Sequence, residues 1–406
     1  MSQVNVALTV VGGLVLILGL LSRPVARSWL SAPLLTFMAG VALGPLGLGW
    51  LHPESWGRPE YLLEEAARLT LGISLMGIAL RLPARYPLVN WRPLLILLLV
   101  AMPAMFLISA GLAGWLLGLP LLVALLVGSS VCPTDPVVAS SIVTSSVAKE
   151  ELPGTFRHML STESGANDGL AYLLVLLPIL LVTKSGPMAW EEWLTTVLLW
   201  EVGGAIVWGS LVGLGGGWAL SKGEEMGLIE QPSFLSLSLA LTLLTLGAGK
   251  LFGTDSILAV FVAGVAFDQL VGGEERMEED NVQEAVNAFF TLPVFLFFGL
   301  MIPWHAWVDL GLRGVLLALA ILALRRLPVI LALRPFLEPW REWRVTLLAG
   351  WFGPIGISAL YYAMLIARET ANKAAWEVGS LVVAASLVAH GMTAAPLARA
   401  YGRSRA

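Results

Sequence analysis

Long apolar runs separated by short polar punctuation dominate this chain. Thirteen spans can be drawn, at about 5–22, 28–48, 62–80, 93–118, 119–146, 157–183, 191–220, 232–251, 256–271, 286–304, 311–334, 344–367 and 375–398. Most reach the roughly 20 residues that a helix rising 1.5 Å per residue needs to cross a bilayer core. The pattern predicts an all-α polytopic membrane protein of about thirteen transmembrane helices. The loops are short, so one membrane domain fills residues 1–406.

Two neighbouring spans break the apolar pattern. In span 5, Pro133 and Pro136 flank Thr134-Asp135, and a helix cannot run regularly through prolines so placed. Unwound backbone at membrane depth is tolerated only where protein buries it or where it lines a cavity. Carbonyls freed there can coordinate a cation, and Asp135 can offset the positive N-terminal end of a half-helix. Span 6 carries Glu163-Ser164-Gly165-Ala166-Asn167-Asp168. An ionisable residue at the bilayer centre costs about 2.5–3.5 kcal/mol on insertion scales, which marks such residues as functional candidates. Asp135 lies 11 residues from the inner end of span 5 and Asp168 lies 11 from the inner start of span 6. Both therefore sit about 16 Å deep, near the middle of a ~30 Å core. Ser164 and Asp168, four apart, share one face of span 6, while Glu163 and Asn167 share the neighbouring stripe. Two carboxylates at one depth on adjacent helices suggest an ion or proton path.

Span 12 contains a second mid-membrane interruption, Gly350–Gly356 (GWFGPIG), seven spans after the first. If 1–183 and 232–398 are related units linked by the helix at 191–220, spans 5 and 12 correspond and run in opposite directions. Paired interrupted helices at matching positions point to a transporter site. Span 11 carries Arg325-Arg326 about nine residues from its inner end. A buried arginine needs an acidic partner, and Glu163 is the natural candidate for either one; inward snorkelling is the alternative. Asp255, in Gly253-Thr254-Asp255-Ser256 before span 9, is either a helix-start residue or part of an outer cavity. Glu64 and Glu65 are expected at the outer interface, and His390 is expected to be packed and hydrogen-bonded. Glycines in spans 1 and 2 and at 213–217 of span 7 read as close packing, with a second subunit as one possible partner of the latter.

Composition agrees with the pattern. The chain is 57% hydrophobic and 13% charged with a mean hydropathy of +0.81, which excludes a soluble domain. Its net charge of −4 says little about partners; the lipid bilayer and small ions are expected, and nucleic acid is not. Cys132 is the sole cysteine, so no intrachain disulfide can form. No basic residue precedes span 1, whereas Arg23 and Arg27 follow it. The positive-inside rule then puts the N-terminus outside and the C-terminus in the cytoplasm. Arg81, Arg85 and Arg92, Lys149 and Arg157, Arg341 and Arg344, and the tail Arg399, Arg403 and Arg405 all fall inside; the acidic loop 272–280 is a weak exception. Trp50, Trp56, Trp91, Trp190, Trp193, Trp304, Trp307, Trp340 and Trp343 lie near span ends, as an interfacial aromatic belt would.

Thr134-Asp135-Pro136 followed by Glu163-Ser164-Gly165-Ala166-Asn167-Asp168-Gly169 resembles the monovalent cation/proton antiporter-1 family, of the NhaP and NHE type. Gly253–Ser256, Arg325–Pro328 and Gly350–Gly356 look most like its branch of fungal plasma-membrane sodium/proton antiporters. The resemblance implies an inverted-repeat fold with two crossed, half-unwound helices (spans 5 and 12), a homodimer in the cell membrane, and alternating access. By motif match, Asp168 would carry either Na⁺ (Li⁺ too) or H⁺, with Asp135, Ser164 and the Thr134 backbone completing the Na⁺ site. Asn167 and Glu163 would hold the helix, with Arg325 in support. Asn167 stands where the family's acidic partner of the carrier Asp would be, which implies electroneutral one-for-one exchange. Two departures stand out: the Arg of a Gly-x-Arg-Gly motif is missing from Gly353-Pro354-Ile355-Gly356, and span 3 offers Ser74, Met76 and Gly77 where relatives often place a carboxylate. No cofactor is expected beyond the transported ions, and no enzyme activity. The alternatives are K⁺/H⁺ exchange, sodium-coupled solute symport, a channel and a membrane enzyme. Symport would want a larger polar cavity, two lone carboxylates do not make a conduction path, and no metal-ligand cluster or Ser/His pair at matched depth supports an enzyme.

Overall fold

A computed structural model describes residues 3–83, 85–143, 145–229, 234–270 and 276–404. Arg405 and the end of the polar stretch Lys222–Pro232 lie outside the described residues, as does the first part of the acidic loop 272–280. The apolar runs fold as helices: α1 (Gln3–Leu20), α2 (Ala32–Leu43), α3 (Pro59–Arg81), α4 (Trp91–Leu117), α5 (Leu121–Ser130), α6 (Pro136–Val143), α7 (Gly154–Thr183), α8 (Gly186–Glu225), α9 (Phe234–Leu251), α10 (Ser256–Asp268), α11 (Arg276–Leu300), α12 (Trp304–Leu324), α13 (Leu327–Leu333), α14 (Trp343–Trp351), α15 (Ile357–Thr370) and α16 (Ala374–Arg403). No strand occurs among the described residues.

Spans 5 and 12 each become two half-helices, α5 and α6 in one and α14 and α15 in the other. The breaks cross in the interior, where the Asp135 N–H donates to the Pro354 carbonyl at 2.9 Å. Glycine makes this approach possible. A Cβ on Gly356 would stand 2.7 Å from Asp135 Cγ and 2.7 Å from Val138 Cγ2. Span 11 is interrupted too: α12 ends before Arg325-Arg326 and α13 restarts with Pro328 in its first turn. Both arginines are buried there, so neither snorkels to the interface.

The most enclosed segments surround the crossing. Thr162 to Gly169 of α7 and Ile357 to Ile366 of α15 are buried without interruption. A helix covered on all sides belongs at the centre of a bundle, and its apolar majority satisfies that environment. At the periphery, α1 buries only Leu18.

Packing refines several of the sequence expectations. Gly12, Gly13 and Gly19 of span 1 meet nothing within 4 Å, so the close packing expected there is confined to span 2, where a Cβ on Gly40 would lie 2.1 Å from the Leu296 carbonyl oxygen of α11. Three glycines of span 7 pack inside the chain, as the run suggested: Gly213 faces the Ala263 carbonyl of α10, Gly216 faces Leu241 and Gly217 faces Leu270, while Gly215 meets nothing within 4 Å. Trp340 belongs to no interfacial belt. It is fully buried, with the Arg326 guanidinium 5.7 Å from its ring centroid, whereas Trp50, Trp91, Trp190 and Trp343 are exposed as expected. Glu64 is itself buried in the protein and ion-paired to the partly exposed Arg368 at 3.0 Å. Each of these residue types suits two environments, and the neighbour that decides between them is far away in sequence.

Candidate ion-binding site

Breaking two helices in mid-membrane leaves two N-terminal ends with free N–H groups and two C-terminal ends with free carbonyls. Each end carries about half a charge, positive at N-termini and negative at C-termini. One acid and one base answer all four. Asp135 Oδ1 accepts from the N–H groups of Val137 (2.8 Å) and Val138 (2.9 Å) at the start of α6. Its Oδ2 accepts from the Ser358 N–H (3.1 Å) at the start of α15. Arg325 serves the opposite ends. Its Nη1 donates to the carbonyls of Val131, Cys132 (3.1 Å) and Pro133 (3.0 Å) after α5, and its Nη2 donates to the Gly353 carbonyl after α14.

The second arginine holds the crossing to α7. Arg326 Nη1 and Nη2 grip Glu163 Oε1 and Oε2 at 2.8 and 3.0 Å, a bidentate pair that is almost wholly buried. Arg326 Nη1 also donates to Thr134 Oγ1 (3.1 Å), and Nε donates to the Ala349 carbonyl (2.8 Å). Glu163 Oε1 accepts from Asn167 Nδ2 at 3.0 Å, and Asn167 Oδ1 accepts from the Thr134 N–H at 3.2 Å. The partner of Glu163 is thus Arg326, and Arg325 reaches only carbonyls. A Cβ on Gly353 would stand 2.1 Å from Arg326 Cδ, so the arginine side chain lies directly on the glycine of span 12.

Against this fully paired background Asp168 stands out. It is completely buried, and neither Oδ1 nor Oδ2 has a hydrogen-bond partner. Asp135, Glu163 and the Ser358 hydroxyl lie within electrostatic reach, and the Ser358 Oγ is itself buried without a formed hydrogen bond. An ionised carboxylate in a dry interior costs several kcal/mol unless compensated. The arrangement can therefore do one thing well: hold a proton or a small cation at Asp168.

The other expected residues are distributed unevenly. Thr134, Asp135, Glu163 and Asn167 gather at the crossing, but their side chains are occupied in holding it. Ser164 Oγ donates to the Leu160 carbonyl of its own helix at 2.7 Å. Asp255 is buried as the N-cap of α10, its Oδ1 accepting from Ile257 and Leu258 N–H at 3.1 and 3.2 Å. His390 sits as expected between Ser386 and the Trp351 carbonyl (3.0 Å to Nε2). Sequence reasoning missed Ser358 and Tyr362, whose hydroxyl donates to the Asp168 carbonyl. Their four-residue spacing on one face of α15, just after the break, was the available signal.

Known proteins are similar to this chain in sequence and in fold. The profile of the family described as sodium/hydrogen exchanger, transmembrane, matches residues 12–400. A Na⁺/H⁺ antiporter of Schizosaccharomyces pombe is 30% identical over 96% of this chain and 89% of its own length. Na⁺/H⁺ antiporter 2 of Zygosaccharomyces rouxii is 34% identical over 80% of this chain but only 41% of its own length. A K⁺/H⁺ antiporter NhaP2 of a Shewanella species is 28% identical over 80% of this chain and 55% of its own length. The chain spans half or less of the length of three of the fungal relatives it matches. The solved structure of the sodium proton antiporter MjNhaP1 from Methanocaldococcus jannaschii at pH 8 superposes with a TM-score of 0.72, at 19% identity, over 98% of this chain and 99% of the other. The same helical architecture is thus reached through a sequence only distantly alike. Crossed half-helices, a buried acid beside them and a profile match over nearly the whole length agree: this chain belongs to the transmembrane sodium/hydrogen exchanger family.

Proposed function

We propose that this chain exchanges a monovalent cation, Na⁺ foremost and Li⁺ with it, for H⁺, and that the two compete for the Asp168 carboxylate. The observation that carries this reading is the pair of orphan oxygens on a fully buried acid, beside a crossing whose other charges are all answered. Asp168 then holds one positive species at a time, with the Ser358 hydroxyl beside it. Asp135 steadies the two half-helices within the binding region, next to Thr134 and Ser164. Glu163, Asn167 and the two arginines fix the crossing so that it moves as a unit. Obligatory exchange follows from energetics. A bare Asp168 carboxylate carried across a dry barrier would bear the desolvation cost of an unpaired ion. A protonated or cation-bound one would not, so the core moves only when loaded.

Several finer features belong to the same proposal. Asn167 adds no second titrating acid, which supports one-for-one electroneutral exchange. The units 1–183 and 232–398 form inverted repeats around the helix at 191–220. The protein works as a homodimer in the cell membrane, N-terminus outside and C-terminus in the cytoplasm, as the arginine-rich inner loops favour. K⁺/H⁺ exchange is the second reading, favoured by the likeness to relatives named as K⁺/H⁺ antiporters.

The test uses purified protein in liposomes with a lumenal pH dye and an imposed pH gradient. Na⁺, Li⁺ and K⁺ are added in turn, with the membrane potential clamped and unclamped. Cation-triggered collapse of the gradient, indifferent to voltage and lost in Asp168→Asn, is expected; the order of responses names the ion. Near-normal exchange by Asp168→Asn would refute the carrier role. A clear voltage dependence would refute the electroneutral stoichiometry.

A further inference from the structure

A second pair of carboxylates lies beyond Asp168 toward the C-terminal end of α7, where the proposed exchange does not use them. Glu201 sits in a π-helical stretch of α8, Trp193–Val202. The Glu201 carbonyl accepts from the Asp255 N–H at 3.0 Å and so ties α8 to the start of α10. Asp255 is 4% exposed, and Oδ1 does all its capping, leaving Oδ2 buried without a hydrogen-bond partner. Glu201 Oε2 is likewise buried and without a partner. The Tyr172 hydroxyl lies close enough to interact with Glu201 directly and is in range of Asp255. The exposed Lys250 at the end of α9 acts on both carboxylates from a distance and satisfies neither orphan oxygen.

This cluster is contiguous with the Asp168 site. Tyr172 is four residues beyond Asp168 on α7, about 6 Å along the same face. The first turn of α10 abuts the same spot, since a Cβ on Gly169 would fall 2.7 Å from Leu258 Cα, three residues after Asp255. Tyr362, whose hydroxyl caps the Asp168 carbonyl, also lies within range of Asp255.

We infer that Glu201, Asp255 and the Tyr172 hydroxyl form a second site for a monovalent alkali cation, one helical turn beyond Asp168 along α7, where the ion is held on its way to or from the carrier acid. Two anionic oxygens and a phenol oxygen are the hard donors such a cation takes in place of water. The cap geometry leaves one Asp255 oxygen free to face it. The inference rests on the exchange reading above.

Two readouts test it. In liposomes, Asp255→Asn and Glu201→Gln should each raise the KM for the cation about tenfold, the loss of one charged ligand, and by more than they lower kcat. Asparagine caps a helix about as well as aspartate, so Asp255→Asn keeps the fold of α10, and Glu201→Gln is independent of that cap. In detergent, thermal stability is compared in NaCl and in choline chloride of equal ionic strength. Asp168→Asn should fail to exchange yet keep part of its Na⁺-dependent stabilisation, and Asp168→Asn/Asp255→Asn should lose the remainder. Folded Asp168→Asn protein with no Na⁺-dependent stabilisation would overturn the second site, as would a KM within twofold of the original in both Asp255→Asn and Glu201→Gln. Exchange surviving in Asp168→Asn would instead overturn the carrier assignment, so the two failures are distinguishable.

Discussion

Glu163→Gln isolates the charge that holds the crossing to α7. The substitution keeps size and shape but leaves the Arg326 guanidinium, 2% exposed, without its bidentate carboxylate. Removing one member of a buried ion pair costs about 3–5 kcal/mol, because the charge left behind is uncompensated. Part of this is offset here, since Arg326 keeps Thr134 Oγ1, the Ala349 carbonyl and the neutral glutamine oxygen. A loss of about 3 kcal/mol is therefore expected, roughly a hundredfold in the folded-to-unfolded ratio. Arg326→Met alone should cost a similar amount by stranding Glu163. The double variant Glu163→Gln/Arg326→Met has no unpaired charge and should recover most of the loss, because neutral replacement of a buried pair is often tolerated. Thermal unfolding in detergent, followed by tryptophan fluorescence, gives the three stabilities, and the double-mutant cycle gives the coupling. Trp340 lies 5.7 Å from the guanidinium and should itself report the change. If the single variants are as stable as the parent, or the double loses the sum of both, the pair does not hold the crossing as described.

Three further outcomes follow from the same geometry. Gly356→Ala would drive a methyl to 2.7 Å from Asp135 Cγ and from Val138 Cγ2, which should separate the half-helices and cut exchange more than about tenfold in the liposome assay. Arg325→Lys should impair exchange and stability together, since one ammonium lacks the fork that reaches the Val131–Pro133 carbonyls and Gly353 at once; retention of both would show that the carbonyl ends need no common counter-charge. Under the proposed competition of proton and cation for Asp168, the apparent KM for Na⁺ should rise as pH falls, approaching about tenfold per pH unit where the site is mostly protonated, while kcat at saturating Na⁺ changes less. A KM flat across pH would mean that the two do not compete.

Local features carried much of this protein in its sequence. Hydrophobic run length is a one-dimensional quantity, so it alone places α3, α4, α7 and α16 within a few residues. The interruptions at 133–136 and 353–356 are equally legible, because proline and glycine act on their own backbone.

What the sequence left open depends on pairs of residues far apart. Arg325 and Arg326 are adjacent and chemically identical, and only the turn between α12 and α13 sends one to four carbonyls and the other to Glu163. Asp135 reads as a cation ligand by type and depth, yet the Ser358 N–H, 223 residues away, takes its second oxygen. Asp168 has a motif no more acidic than its neighbours, and what distinguishes it is the absence of hydrogen-bond partners, a property of the packed molecule. Glu201 and Asp255 likewise become a pair only when α8 and α10 meet. Sequence alone determined that charge-bearing breaks interrupt two apolar spans; tertiary structure decided which charges are answered and which acid oxygens are left without a donor, because compensation is set by distance in space.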